Sequence, residues 1–122
     1  MATPSDNFSH LERSVLLALA EADPERETLL AQIHTATVIE RDYTGVGLYT
    51  KLAVDPDVPK LQTWNRSIED YPKAYLSHPK LEAGVGVILW LDAHQISTIE
   101  FYTFAGDWPK DETLFKIEDP IT

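Results

Sequence analysis

Residues 85–104 read VGVILWLDAHQISTIEFYTF, and this stretch decides the fold. It contains two apolar runs, 85–91 and 96–104, rich in the β-branched and aromatic residues that are typical of β-strands. The polar segment between them, Asp92-Ala93-His94-Gln95, is a four-residue connection of hairpin length. No helical pattern separates the runs, so antiparallel pairing is favoured over a parallel βαβ unit. We therefore predict an antiparallel hairpin.

Further strands are predicted on both sides of this hairpin. Residues 37–43 are rich in β-branched residues, and residues 46–54 alternate apolar and polar positions, with Thr44-Gly45 at the junction. The connection over about 55–79 carries several prolines, and within it Ala74–Leu76 is expected to form a short edge strand, since Pro72 disfavours a central one. Thr113–Ile117 is expected to add a final edge strand.

Two helices are predicted before the strands, over about 9–35. Ser9 and Glu12 have the spacing of a capping box, and an apolar stripe with helical spacing follows them. Asp23-Pro24 has the pattern of an N-cap followed by proline at the first helical position, and this second helix is expected to end near Thr35.

The expected fold class is therefore α+β, with two N-terminal helices packed on a mostly antiparallel sheet of four to six strands, the sheet spanning about 37–117. A chain of 122 residues has the usual size of one domain, so we expect residues 1–122 to form a single domain.

The composition is strongly acidic, with 20 Asp and Glu against 10 Lys and Arg and a formal net charge of −10. Such a charge repels phosphate backbones and anionic lipids, so we expect no nucleic-acid partner and no membrane association. The charge is explained either by solubility or by electrostatic attraction of a basic protein partner. The chain contains no cysteine, and its first residues lack the pattern of a signal peptide, so a cytoplasmic location is expected.

Two segments share a Gly-Val-Gly motif before an apolar strand: YTGVGLYT at 43–50 and EAGVGVIL at 82–89. Together with IEFYT at 99–103 and Asp107-Trp108-Pro109, they give the chain a resemblance to a family of small bacterial proteins. That family has a TGVGFFT-like strand, a GAGxVLF-like strand and an LEGYTY…WP-like C-terminal end. Leu48-Tyr49 and Glu100-Phe101 stand where the family pattern has Phe-Phe and Glu-Gly. The family has no assigned activity, so the resemblance supports the fold and implies no functional residues.

The glycines and histidines do not form a recognisable cofactor or metal site. Each Gly-Val-Gly leads into a strand rather than a helix, which excludes a dinucleotide or phosphate loop. Glycines two apart on a strand leave a bare strip, open to close packing or to a ligand. The histidines His10, His34, His78 and His94 lack metal-ligand spacing, and no serine lies in a nucleophile motif. We expect no cofactor, no metal and no catalytic residue.

Glu100 and Tyr102 fall on one face of the last long strand, and Trp108 follows shortly after. Glu100 is either a buried acid with a raised pKa, for which Arg41 is a candidate partner, or part of a solvated face. Glu40-Arg41-Asp42 is interpreted as a solvent-facing charge cluster that protects a sheet edge from aggregation.

Three functional hypotheses follow. The first is a non-enzymatic protein-binding or regulatory module, for example an acidic inhibitor of a basic protein. The alternative is a small-ligand-binding protein or minor enzyme, with a pocket between the helices and the sheet. Its ligand-binding residues would be Tyr49, Trp64, Glu100, Tyr102 and Trp108. The third is a homodimer joined through a sheet edge or the proline-containing connection, so the chain is expected to be a monomer or a homodimer.

Overall fold

The computed structural model describes residues 7–62 and 66–121, and it confirms the predicted α+β fold. Two helices come first, α1 (His10–Glu21) and α2 (Arg26–Thr35). Six strands follow: β1 (Thr37–Tyr43), β2 (Gly47–Ala53), β3 (Lys73–His78), β4 (Leu81–Asp92), β5 (Gln95–Thr103) and β6 (Lys116–Ile121). Ile68–Asp70 and Glu112–Leu114 each form a single 3₁₀ turn.

The strands form one sheet in the order β1-β2-β5-β4-β3-β6, and every neighbouring pair is antiparallel. The predicted hairpin of β4 and β5 lies at its centre, and β1 and β6 are its edges. The helices pack against one face of this sheet, which we call the inner face. The opposite face is the outer face.

The core fills the space between the helices and the inner face. Along β5, Ile99 and Phe101 are buried, and along β2, Leu48 and Thr50 are buried. They meet the apolar stripe of α1, in which Val15 and the neighbouring leucines have almost no exposed surface. The region in which the alternative hypothesis placed a ligand pocket therefore contains the packed side chains of the core.

The start of α1 is as predicted. The Ser9 hydroxyl accepts a hydrogen bond from the Glu12 amide at 3.1 Å, and the Glu12 carboxylate accepts one from the Ser9 amide at 2.9 Å. This reciprocal pair satisfies two amides that the first turn of a helix leaves without partners.

The start of α2 differs from the prediction, because the helix begins at Arg26 and not at Asp23-Pro24. The Asp23 carboxylate accepts a hydrogen bond from the Glu25 amide at 2.9 Å and forms an ion pair with Arg66 at 2.8 Å. These contacts fix Asp23 in a turn before the helix, an interaction that local sequence does not reveal.

The turn between β4 and β5 has two residues, Ala93 and His94, and not the four that we predicted. Both have positive φ angles, 53° and 68°, as a tight hairpin turn requires, although neither is glycine or asparagine. The buried Gln32 side chain holds this turn from α2. Its amide group donates to the His94 carbonyl at 3.2 Å and accepts from the Ile96 amide at 2.9 Å.

Two strand predictions near the C-terminus were also inaccurate. β3 spans Lys73–His78 and is an interior strand between β4 and β6, whereas an edge strand was expected. Pro72 precedes it, and its carbonyl accepts a hydrogen bond from the Leu89 amide at 2.9 Å, so the proline does not interrupt the pairing. β6 begins at Lys116, because residues 112–114 form a 3₁₀ turn instead of strand.

Candidate functional site: the outer face of the sheet

The outer face is built by the residues that alternate with the core. On β5, Glu100 and Tyr102 point away from the helices, because Ile99 and Phe101 point toward them. Tyr49 of β2 and Ile88 of β4 lie directly opposite Glu100 on its two sides. The antiparallel register therefore places Glu100 in the middle of the sheet, with an aromatic residue beside it.

The Glu100 carboxylate is held by two hydrogen bonds from neighbouring strands. The Tyr49 hydroxyl donates to Oε2 at 3.1 Å, and the Trp90 indole nitrogen donates to Oε1 at 2.9 Å. A carboxylate offers about four acceptor positions, so each oxygen keeps one free lone pair. Across residues 7–62 and 66–121, the ion pairs of the structure do not include Glu100.

The two neighbouring tyrosines both have raised pKa values, and the Glu100 carboxylate contributes to each. The hydrogen bond to Glu100 raises the pKa of Tyr49 above its ordinary value, and the charges of Glu100 and Asp42 act in the same direction. Burial raises the pKa of Tyr102, with smaller contributions from Tyr75 and Glu100. Such surroundings favour the binding of a cation.

The glycine strip predicted from the sequence is closed by packing. The Tyr102 ring lies directly over Gly86, so that a side chain at position 86 would collide with it. Gly47 is equally constrained, because a Cβ atom there would meet the Phe101 carbonyl. At Gly47 and Gly86, close packing is therefore the one observed of the two interpretations that the sequence left open, and the absence of a side chain at Gly86 makes room for the Tyr102 ring.

Aromatic rings surround Glu100 on the outer face. Tyr71 packs edge-on against Trp90, with ring centroids 5.9 Å apart. On the other side Tyr102 packs edge-on against Phe104 at 5.4 Å, and Phe104 contacts Tyr75 at 5.9 Å. Tyr75 and Phe104 expose 45% and 49% of their surface, which leaves apolar area available to a partner.

The structure brings together three of the five predicted ligand-binding residues, Tyr49, Glu100 and Tyr102. Trp108 lies elsewhere, because its ring packs against Phe101 of the inner face at 5.7 Å. Trp64 lies outside the described residues. Trp90 was missed from the sequence, because a register shift between Trp90 and Leu91 places it opposite Thr98 and on the same face as Glu100, whereas a regular hairpin would pair it with Ser97.

Glu12 is a buried acid, and it is Glu12 that pairs with Arg41. The Arg41 guanidinium donates to both carboxylate oxygens, at 2.8 and 2.7 Å, and the Thr50 hydroxyl donates at 2.8 Å. Arg41, which was a candidate partner for a buried Glu100, therefore pairs with Glu12 instead, although it is exposed on the edge strand β1 as the predicted charge cluster requires. Glu40 and Asp42 do remain exposed on the edge strand.

The acceptor positions of the Glu12 carboxylate are all occupied, and its contacts stabilise the fold. Burial pushes its pKa upward, but the hydrogen bonds from Arg41, Ser9 and Thr50 outweigh this effect, so that the pKa lies below its ordinary value. Four donors occupy its two oxygens, counting the Ser9 amide. No acceptor position remains for a ligand, in contrast to Glu100.

Within the described ranges, no group of three or more His, Asp or Glu side chains is arranged to hold a metal ion. Neither described helix is long and apolar enough to cross a membrane. Comparison with known proteins finds no matching family model, no matching curated protein and no matching solved structure.

Proposed function

We propose that this chain is a protein-binding module that regulates a basic protein partner, with the outer face of the sheet as its binding surface. The observation that carries the proposal is the Glu100 carboxylate, oriented by Tyr49 and Trp90 and without a cationic partner in the described chain. An arginine or lysine side chain of the partner would complete this site.

The chemistry around Glu100 favours a guanidinium in particular. An arginine can donate two parallel hydrogen bonds to a carboxylate, and each Glu100 oxygen retains one lone pair. Guanidinium planes also pack favourably against aromatic rings, which Tyr49 and Tyr102 provide on neighbouring strands. The exposed rings of Tyr75 and Phe104 would add apolar contact around this central interaction.

The charge of the whole chain supports the same class of partner. A net charge of −10 attracts basic proteins over a distance and repels nucleic acids and anionic membranes. We further propose that the protein belongs with the family of small bacterial proteins that its Gly-Val-Gly segments resemble, and that it acts in the cytoplasm. The cysteine-free composition supports this location.

The proposal is tested by NMR titration of the ¹⁵N-labelled chain with three short peptides of equal length. One carries arginines, one lysines, and one citrullines, which keep the shape of arginine without its charge. We expect the arginine peptide to shift the Trp90 indole N–H and the amides of Tyr49 and Glu100. The citrulline peptide leaves these signals unchanged.

Glu100→Gln removes the charge and keeps the side-chain shape. It should weaken arginine-peptide binding by about tenfold or more, because a hydrogen bond to a charged group contributes roughly 1.5–3 kcal/mol. Glu27→Gln is the matched control, since Glu27 is exposed on α2 in the helix layer. Equal losses in the two variants, or shifts distributed over the helices, would refute a specific site on the outer face.

A further inference from the structure

A second site is formed by a cavity of about 500 Å³ at the end of the sheet where the β3–β4 turn meets the segment after β5. Its apolar lining comes from Leu81, Trp108, Pro109 and Leu114. This volume falls within the usual range of small-molecule sites. The cavity is separate from the outer face, because Trp108 packs against Phe101 of the inner face.

The cavity is preformed, since hydrogen bonds hold the residues around it. The Lys80 amide donates to His78 Nδ1 at 3.0 Å, so the ring proton lies on Nε2, which donates to the Asp111 carbonyl at 2.8 Å. The Trp108 amide donates to the Gly45 carbonyl at 2.8 Å. A ligand would therefore enter without the cost of ordering these segments.

The packing of Trp108 fixes one wall of the cavity. Its indole nitrogen donates to the Glu112 carboxylate at 2.9 Å, and its ring packs against Phe115 with centroids 5.0 Å apart. Phe115 in turn contacts the His78 ring at 4.8 Å. These contacts hold the indole in one orientation, so that a flat apolar ring can pack beside it.

The charged residues at the cavity indicate the ligand's charge. Lys80 and Lys110 are exposed there, and within the part of the chain that the structure describes their ammonium groups form no ion pair or hydrogen bond. Of the two acids at the same site, Asp111 is engaged by Thr113, whose hydroxyl and amide lower its pKa. Asp107 is the remaining acid. The lining therefore carries two lysines against two carboxylates and is formally neutral, in a chain whose net charge is −10. The ammonium groups of Lys80 and Lys110 remain available to an anionic ligand.

We propose that this cavity binds a small amphipathic anion: an apolar ring enters between Trp108 and Leu81, and a carboxylate lies near Lys80 and Lys110. The proposal is independent of the outer face, because the two sites share no residue. Either proposal can therefore be refuted while the other still holds.

The test uses three probes that share one ring system and differ in charge: 2-naphthylacetate, 2-naphthaleneethanol and 2-naphthylethylamine. Binding is followed by NMR at the Trp108 indole N–H and the Gly106 amide. We expect 2-naphthylacetate to bind about two- to fivefold more tightly than the neutral alcohol, as expected for an exposed charge interaction. The amine should bind most weakly.

The double variant Lys80→Glu/Lys110→Glu should abolish the preference for the acetate and leave binding of the alcohol unchanged. Lys116→Glu is the matched control, because Lys116 is an exposed lysine of β6 that does not line the cavity. The acetate preference should persist in this variant. Three results would overturn the proposal: no probe shifts the Trp108 signal, all three bind equally, or the amine binds most tightly.

Discussion

Glu12 and Glu100 lie on opposite sides of one sheet and differ in how many hydrogen bonds their carboxylates accept. Glu12 accepts four and has 1% of its side chain exposed, whereas Glu100 accepts two. The number of free acceptor positions separates a structural acid from a binding acid. This distinction depends on Arg41 and Thr50, which are distant from Glu12 in sequence, so the sequence alone offered Arg41 only as a candidate partner for Glu100 and did not reveal its pairing with Glu12.

Glu12→Gln should lower the free energy of unfolding by about 2–3 kcal/mol, because it leaves the Arg41 guanidinium without its counter-charge in a partly buried position. Arg41 keeps part of its hydration, with 31% of its side chain exposed, which moderates the loss. The measurement is urea unfolding at neutral pH. The double variant Glu12→Gln/Arg41→Gln should lose less than the sum of the two single variants. Additive losses would show that the pair is not coupled.

The ion pair of Glu12 and Arg41 should make the stability of the protein depend on pH in a predictable direction. The pKa of Glu12 is lowered from its ordinary value of 4.5, so the unfolded chain takes up this proton before the folded chain does. Its stabilisation is complete above pH 4.5 and is lost as the pH falls through the folded-state pKa. The difference in stability between the native chain and Glu12→Gln should therefore shrink below pH 4.5. A constant difference down to about pH 3.5 would contradict this linkage.

At the scale of elements, the sequence correctly predicted the features that are determined by neighbouring residues. The capping box at Ser9 and the alternating pattern of β2 were sufficient, because a helix start and a half-buried strand each depend on nearby residues. The β4–β5 turn was misjudged because Ala93 and His94 are not typical turn residues. Gln32, far away in sequence, stabilises this turn through the carbonyl of His94 and the amide of Ile96.

Ala93→Asn should stabilise the protein by about 0.5–1 kcal/mol, since asparagine tolerates the left-handed backbone conformation better than alanine. Ala93 is exposed, with a φ angle of 53°, so the substitution changes little else. Ala105→Asn is the matched control, because Ala105 is also exposed in a loop but lacks a positive φ. Thermal unfolding distinguishes the two, and equal effects in both variants would exclude relief of turn strain.

At the scale of the whole molecule, the acidic charge should act mainly on the rate of association. Raising the ionic strength from about 0.05 M to about 0.5 M should slow association with the arginine peptide by about tenfold and change dissociation little, because salt screens long-range attraction more than contact. Stopped-flow fluorescence with a labelled peptide measures both rates.

In the same experiment, single variants distinguish the long-range attraction by the net charge from the direct contact at Glu100. Glu27→Gln, remote from the outer face, should slow association slightly and leave dissociation unchanged. Glu100→Gln should instead accelerate dissociation, because it removes a direct contact. Association that is insensitive to salt would contradict electrostatic steering by the whole chain.

The helices cover one face of the sheet, so amino-acid substitutions on the two faces have different effects on the core. Ile99 and Phe101 belong to the core, whereas Glu100 and Tyr102, between and beyond them, do not. Substitutions at the outer positions leave the volume of the core unchanged. A combinatorial library randomised at Tyr49, Glu100 and Tyr102 would therefore vary recognition on a constant scaffold.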